Sequence, residues 1–138
     1  MKQEEKQLLL KDLCARLPYG VIVRIDYRDG TIVKRELGIG SLHDIVFDNA
    51  EGKPYLRSMS SMTEEEKEEM HNLLSPEGTA IYGCGGISMP MNHYGEFVSY
   101  EFMNHIIQYL LENHFDFMGL IPKGLAIEVA KYNNPYKE

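Results

Sequence analysis

The spacing of apolar positions changes several times along this chain, and each change marks an element. From Glu4 to Leu17 the residues Leu10, Leu13, Cys14 and Leu17 recur at i, i+3, i+4 and i+7, the stripe of an amphipathic helix. Pro18 disfavours helical geometry in the residue before it, so the helix should stop there. Cys14 is expected on the buried stripe, as a small core residue rather than a reactive thiol. The period falls to two in GVIVRIDYRDGTIVKREL, residues 20–37, which reads as a β-hairpin. A two-residue Asp29-Gly30 turn would set Ile25 opposite Lys34 and Val23 opposite Glu36. A three-residue Arg28-Asp29-Gly30 loop, with Gly30 left-handed, sets Ile25 opposite Val33 and Val21 opposite Leu37. The second register gives one continuous apolar face and is preferred; it leaves Arg24 and Lys34 together on the other face, near Arg28.

Gly38 and Gly40 interrupt the pattern, and a third strand is expected from Leu42 to Phe47. Turn formers fill residues 48–52, and a fourth strand is expected from Pro54 to Met59, with proline at its first position. Four short antiparallel strands with tight connections suggest a meander curled into a small, partly open barrel of SH3-like size. Thr63 followed by Glu66 is a capping box, and Glu64, Glu65 and Glu66 suit the positive end of a helix. That helix should run to Leu74, burying Met70, Leu73 and Leu74, and stop at Ser75-Pro76. Residues 78–95 are long for a loop without structure of its own. A second strong helix spans Ser99 to Asn113, with Met103, Ile106, Ile107, Leu110 and Leu111 on one stripe. Alternation at Leu125, Ile127 and Val129 fits a short last strand, and YNNPYKE reads as a loose tail.

The fold class is therefore α+β: an N-terminal helix, a small antiparallel sheet, two further helices packed on it and a short C-terminal strand. A single domain spans residues 1–138, with a β-rich part over 20–59, a helical part over 63–114 and the last strand and tail over 120–138.

Charge divides the chain. Residues 1–63 carry ten basic and nine acidic side chains, and residues 64–138 carry four and twelve, within a net charge of −7. Only the first half could present a basic face to phosphates, so nucleic acid is disfavoured as a partner. Two cysteines, Cys14 and Cys84, do not make a disulfide scaffold. The start, MKQEEKQLLL, is charged where a signal peptide needs its apolar core, and no apolar run approaches membrane-spanning length. A cytoplasmic chain without membrane contact is expected.

Three segments carry a resemblance: LLLKDLCARLPYGV (8–21), KPYLRSMSSMTEEEK (53–67) and NHFDFMGLIPKGLAIE (113–128). They resemble an uncharacterised family of short proteins from gut bacteria, often carried in prophages or other mobile elements. In that family the middle segment usually reads PYLRPMSSMTEEE and the last HFDYRGLIPKGLALEA. Here Ser58 stands where the family often has Pro, Phe117 where it has Tyr, and Met118 where it has Arg. The resemblance covers about a third of the chain. It implies a bacterial or phage origin and a shared fold, and it brings no activity, cofactor or catalytic residue.

Candidate chemistry is sparse. The histidines His43, His71, His93, His105 and His114 form no tight ligand pair with each other or with a cysteine, so no metal and no cofactor is expected. Cys84 in GCGG, with His93 later in the same stretch, is an alternative nucleophile-and-base pair that would make a hydrolase. GCGGISMP runs into Pro90 and lacks the Gly-Lys-Ser/Thr of a phosphate-binding loop. Arg24, Arg28, Lys34 and Arg35 with Tyr27 could serve a barrel-type nucleic-acid binder, but Asp26, Asp29 and Glu36 are interleaved with them. The acidic run EEEKEE reads as a solvated helix face. The expected function is a non-enzymatic accessory module of a phage or mobile element, meeting an unidentified protein partner or a second copy of itself. Tyr55, Arg57, Met59 and Met62 are its candidate contact surface, since Tyr, Arg and Met are enriched at interfaces; the competing reading buries them under the capped helix.

Overall fold

The computed structural model describes residues 2–74, 80–81, 90–91 and 100–136. Through them run α1 (Gln3–Arg16), β1 (Ile22–Tyr27), β2 (Ile32–Glu36), α2 (Ile39–Val46), β3 (Ala50–Leu56), α3 (Glu64–Leu74), β4 (Ala80–Ile81), β5 (Pro90–Met91), α4 (Tyr100–Glu112) and β6 (Ile127–Glu128). The main sheet has the order β2-β1-β3-β6; β1 pairs antiparallel with both neighbours, and β6 runs parallel to β3. This is an α+β fold.

The hairpin takes the three-residue loop. Ile25 faces Val33, Arg24 faces Lys34, and the Leu37 N–H donates to Val21. Gly30 has φ +92° and donates to the Tyr27 carbonyl, while Asp29 Oδ1 accepts the Thr31 N–H at 2.9 Å. Only a residue tolerant of positive φ closes this loop.

The expected third strand over Leu42–Phe47 is instead the helix α2. Gly38 stays extended, and its carbonyl accepts the Leu42 N–H at 3.0 Å to begin the first turn. Gly40 makes the segment a poor helix by propensity, by about 1 kcal/mol. Packing overrides this: Ser41 and Ile45 turn inward, and Ile45 lies so close to Gly52 of β3 that a Cβ there would run into its Cδ1. The four-strand meander thus becomes three antiparallel strands, with a helix crossing between the second and the third.

The fourth predicted strand begins earlier than expected, at Ala50, so Pro54 lies inside β3 rather than at its start. The register explains the tolerance. Hydrogen bonds from Tyr27 to Thr31 and from Leu37 to Val21 show that odd-numbered residues of β1 pair with β2. Antiparallel ladders alternate, so the even-numbered residues of β1 bond β3. Pro54 lies opposite Val23 and owes β1 no N–H.

The main core lies between the sheet and α1, where Leu9 and Leu13 meet Val21, Val23, Ile25 and Leu56. Cys14, expected in this stripe, is exposed. The buried side of α1 is rotated to take in Asp12 and Arg16, a polar pair that an apolar-only periodicity cannot see. A smaller cluster joins Met70 of α3 to Ile106 and Leu110 of α4 and to Phe115, with Met59 and Met62 packed at its margin. In the stretch expected to be irregular, β4 and β5 form a two-stranded antiparallel ladder; the rest of 78–95, the Ser75-Pro76 stop and the start of the second helix at Ser99 lie outside the described residues.

The tail also departs from expectation. The Tyr136 hydroxyl accepts the Ile22 N–H at 3.0 Å and donates to the Tyr55 carbonyl at 2.7 Å. It therefore bridges β1 and β3 one step beyond their last ladder pair, Val23 with Pro54. Its ring stacks on His114, with centroids 3.9 Å apart.

Candidate functional site

The junction after β3 is held from inside. Arg57 leaves the strand and forms a parallel bridge with the α4 exit: its N–H donates to the His114 carbonyl, and its own carbonyl accepts the Asp116 N–H, both at 2.8 Å. Its guanidinium grips Glu66 with two bonds of 2.7 and 2.6 Å and lies 4.2 Å from the Phe115 ring centroid. Glu66 also completes the capping box, accepting the Thr63 N–H while its own N–H donates to Thr63 Oγ1. The Arg57 hydrogen bonds, more than any other cause, hold the Glu66 carboxyl down at about 2. So one member of the EEEKEE run is an anchored partner rather than part of a solvated face. Another, Glu69, accepts the Tyr109 hydroxyl at 2.8 Å; burial, then Glu69, pushes that phenol upward.

A second arginine lies deeper. Arg16 is fully buried, with Nε on Asp12 at 2.7 Å, Nη2 on the Phe115 carbonyl at 2.6 Å, and its guanidinium 5.3 Å from the Phe117 ring centroid. Burial pushes the Asp12 carboxyl up against the pull of Arg16. Asp116 accepts the N–H groups of Leu120 and Ile121 at 2.8 and 2.9 Å, closing the turn that leads to β6. His114, held at φ +62°, is pushed down to about 4 by burial first and then by Arg16 and Arg57. Asp12 Oδ1, Arg16 Nη1 and His114 Nδ1 are buried without a hydrogen-bond partner among the described residues.

The segments 8–21, 53–67 and 113–128, which carry the resemblance, therefore meet at one charged node. Its groups are spent chiefly on each other and on this chain's own backbone. Of the four residues expected at a contact surface, Arg57, Met59 and Met62 point into this packing. Tyr55 lies apart on the open face of the sheet, under Lys34 Nζ at 5.7 Å from its ring centroid.

The hairpin cations do not form one patch. Arg24 faces Lys34 on one side and Lys53 on the other, so three cations stand in a row across β2, β1 and β3. The next row holds Ile32, Asp26 and Glu51. Arg35 lies on the opposite face with Tyr27, and Arg28 at the loop. Lys53 escaped the sequence reading because cross-strand neighbours appear only once β3 is registered on β1. Cys84 and His93 lie outside the described residues.

A surface missed in the sequence lies on α2. Ile39, His43, Val46 and Phe47 fall at i, i+4, i+7 and i+8, one stripe of the helix. Ile39 is 78% and Phe47 64% exposed, and the His43 and Phe47 rings meet with centroids 4.6 Å apart. Ser41 and Ile45 on the other side are buried. Alongside runs a groove of about 550 Å³, lined by Tyr27, Arg35, Gly38, Ser41, His43 and Asp44 among others. The signal was present as a spacing of seven and eight between Ile39, Val46 and Phe47, but reading a strand there concealed it.

Among the described residues, no group of three or more His, Cys, Asp or Glu side chains could hold a metal ion, and no helix is long and apolar enough to cross a membrane. Set against family models, curated proteins and solved structures, the chain matches none of them.

Proposed function

We propose that this protein is a non-enzymatic interaction module that docks a protein partner on the outward stripe of α2. The observation that carries the reading is the continuous exposed stripe of Ile39, Val46 and Phe47 on a helix whose other side is already packed. Scattered surface leucines or isoleucines need no explanation. A contiguous apolar strip beside a groove offering tyrosine and arginine has the make-up of a docking surface. This moves the contact away from Arg57, Met59 and Met62, whose side chains serve the fold. The resemblance supports a role as an accessory protein of a phage or mobile element. The nucleic-acid reading has weaker support, because the row of Lys34, Arg24 and Lys53 is bordered by Asp26 and Glu51.

The test is the double variant Ile39→Asp plus Phe47→Asp. Its melt should match that of the wild type, while a partner captured by the wild-type chain from its native host, identified by mass spectrometry, should be lost. Sedimentation of both proteins shows whether the partner is a second copy. Capture of the same proteins by both chains, with unchanged sedimentation, would sink the proposal.

A further inference from the structure

The free edge of the sheet offers a second surface, independent of the α2 stripe. β2 ends the strand order, and its odd-numbered residues bond β1, as the Tyr27-to-Thr31 and Leu37-to-Val21 hydrogen bonds show. By the alternation of an antiparallel ladder, the N–H and C=O groups of Ile32, Lys34 and Glu36 point away from the sheet. This is a regular five-residue edge.

Its charge is one-sided at the centre. Lys34 heads the cation row with Arg24 and Lys53, on strands about 4.8 Å apart. Like charges directly opposite each other destabilise a sheet, yet three stand abreast here. The Arg24–Asp26 pair, at 3.1 Å with both side chains exposed, relieves one of them only weakly. On the other face of the same edge, Arg35 is exposed and has no ion pair among the described residues, nor has Arg28 at the loop. The Glu36 carboxylate is turned back over Gly20. Beside Lys34, Ile32 is 60% exposed.

We propose that the β2 edge captures an extended acidic segment of a partner protein as an added antiparallel strand. Outward backbone groups supply hydrogen bonds in the manner of strand addition. A carboxylate opposite Lys34 completes the cation row, and the apolar side chains that alternate with it lie on the other face of the edge, beside Val33. The competing account is that Lys34 guards a bare edge against self-pairing. On that account no strand binds, and removing the lysine promotes association.

The probe is a fluorescein-labelled, N-acetylated heptapeptide of alternating Glu and Val, measured by anisotropy against the full chain. In an antiparallel pair, the glutamates that share a face with Lys34 also turn their N–H groups toward β2. The same peptide N-methylated at its glutamates keeps the charge and loses those bonds. Binding is expected for the first peptide and not for the N-methylated or Lys-for-Glu versions, and it should weaken about tenfold or more between roughly 50 and 300 mM salt. Lys34→Glu should abolish it. Ile32→Pro, which removes one outward N–H at the first position of the strand, should weaken it about tenfold with an unchanged melt. Ile39→Asp plus Phe47→Asp should leave it intact, which separates this edge from the α2 surface. Equal binding of the N-methylated peptide, indifference to Lys34→Glu, or no binding at the lower salt would each overturn the proposal.

Discussion

The charged node and the exposed sides of α2 and β2 are opposites. The node holds the most distinctive words of the sequence, KDLCAR, LRSMSSMTEEE and HFDF, and turns them inward upon one another. Arg16 and Arg57 each find a carboxylate, a backbone carbonyl and an aromatic ring. Those two sides carry unremarkable words, IGSLHDIVF and IVKRE, and leave apolar groups and cations facing solvent. The contrast teaches that a memorable motif can be a folding device. A bound partner has to be sought where groups are left unanswered.

The sharpest way to break this contrast is to remove the node's deepest member. Arg16→Ala leaves Asp12 buried without its ion and should cost about 3–5 kcal/mol, read by chemical denaturation. Replacing both, as Asp12→Leu plus Arg16→Met, should recover most of that loss, because well-packed apolar residues often match a buried pair. A single-variant cost below about 1 kcal/mol would mean that the node does not hold the segments together.

Next in size is acid. His114 has its folded pKa lowered to about 4 from 6.5, so it stabilises the fold fully above 6.5 and loses that contribution as pH falls toward 4. Glu66, lowered from 4.5 to about 2, adds stability above 4.5 that disappears as pH falls toward 2. Stability should therefore decline in two acid steps, the Glu66 step worth about 2 kcal/mol after allowance for its partial contact with water. His114→Asn, with a residue that tolerates positive φ, should remove the upper step, and Glu66→Gln the lower one. A single step insensitive to both variants would contradict the geometry.

Tyr136→Phe should cost about 1–2 kcal/mol, since it removes a bridge to both Ile22 and Tyr55 while keeping the ring against His114. Smallest of all, Ile39→Ser and Phe47→Ser should change stability by less than about 0.5 kcal/mol each. A large loss there would transfer those residues to the core and dissolve the contrast.

The elements legible in the sequence were those with a local cause. Gly30 and the pairing of Ile25 with Val33 set the hairpin, Thr63 and Glu66 set the start of α3, and Ile106, Leu110 and Leu111 set the stripe of α4. What escaped was set by distant contacts. α2 is helical because Ile45 fits over Gly52, Cys14 is exposed because Asp12 and Arg16 claim the inner side of α1, and the tail is pinned because Tyr136 finds β1 and β3. Of the candidate contact surface, Arg57 was expected to meet a partner, whereas its guanidinium is held by Glu66 of the same chain, nine positions away.

The bond from Arg16 to the Phe115 carbonyl spans 99 positions, and this has a consequence for biosynthesis. At about 5–20 residues per second, a ribosome makes the donor roughly 5–20 s before its acceptor. α1 and the hairpin have ample time to form during that delay, but the guanidinium cannot be sealed away. Closure of so distant a pair also carries a loop-entropy cost that local contacts must first offset. The final step therefore waits for Phe115, and every nascent chain passes through a stage in which its future interior displays an arginine paired with Asp12 but still open to water. A stall upstream of Phe115 would hold the chain at that stage and keep it open to chaperones and proteases.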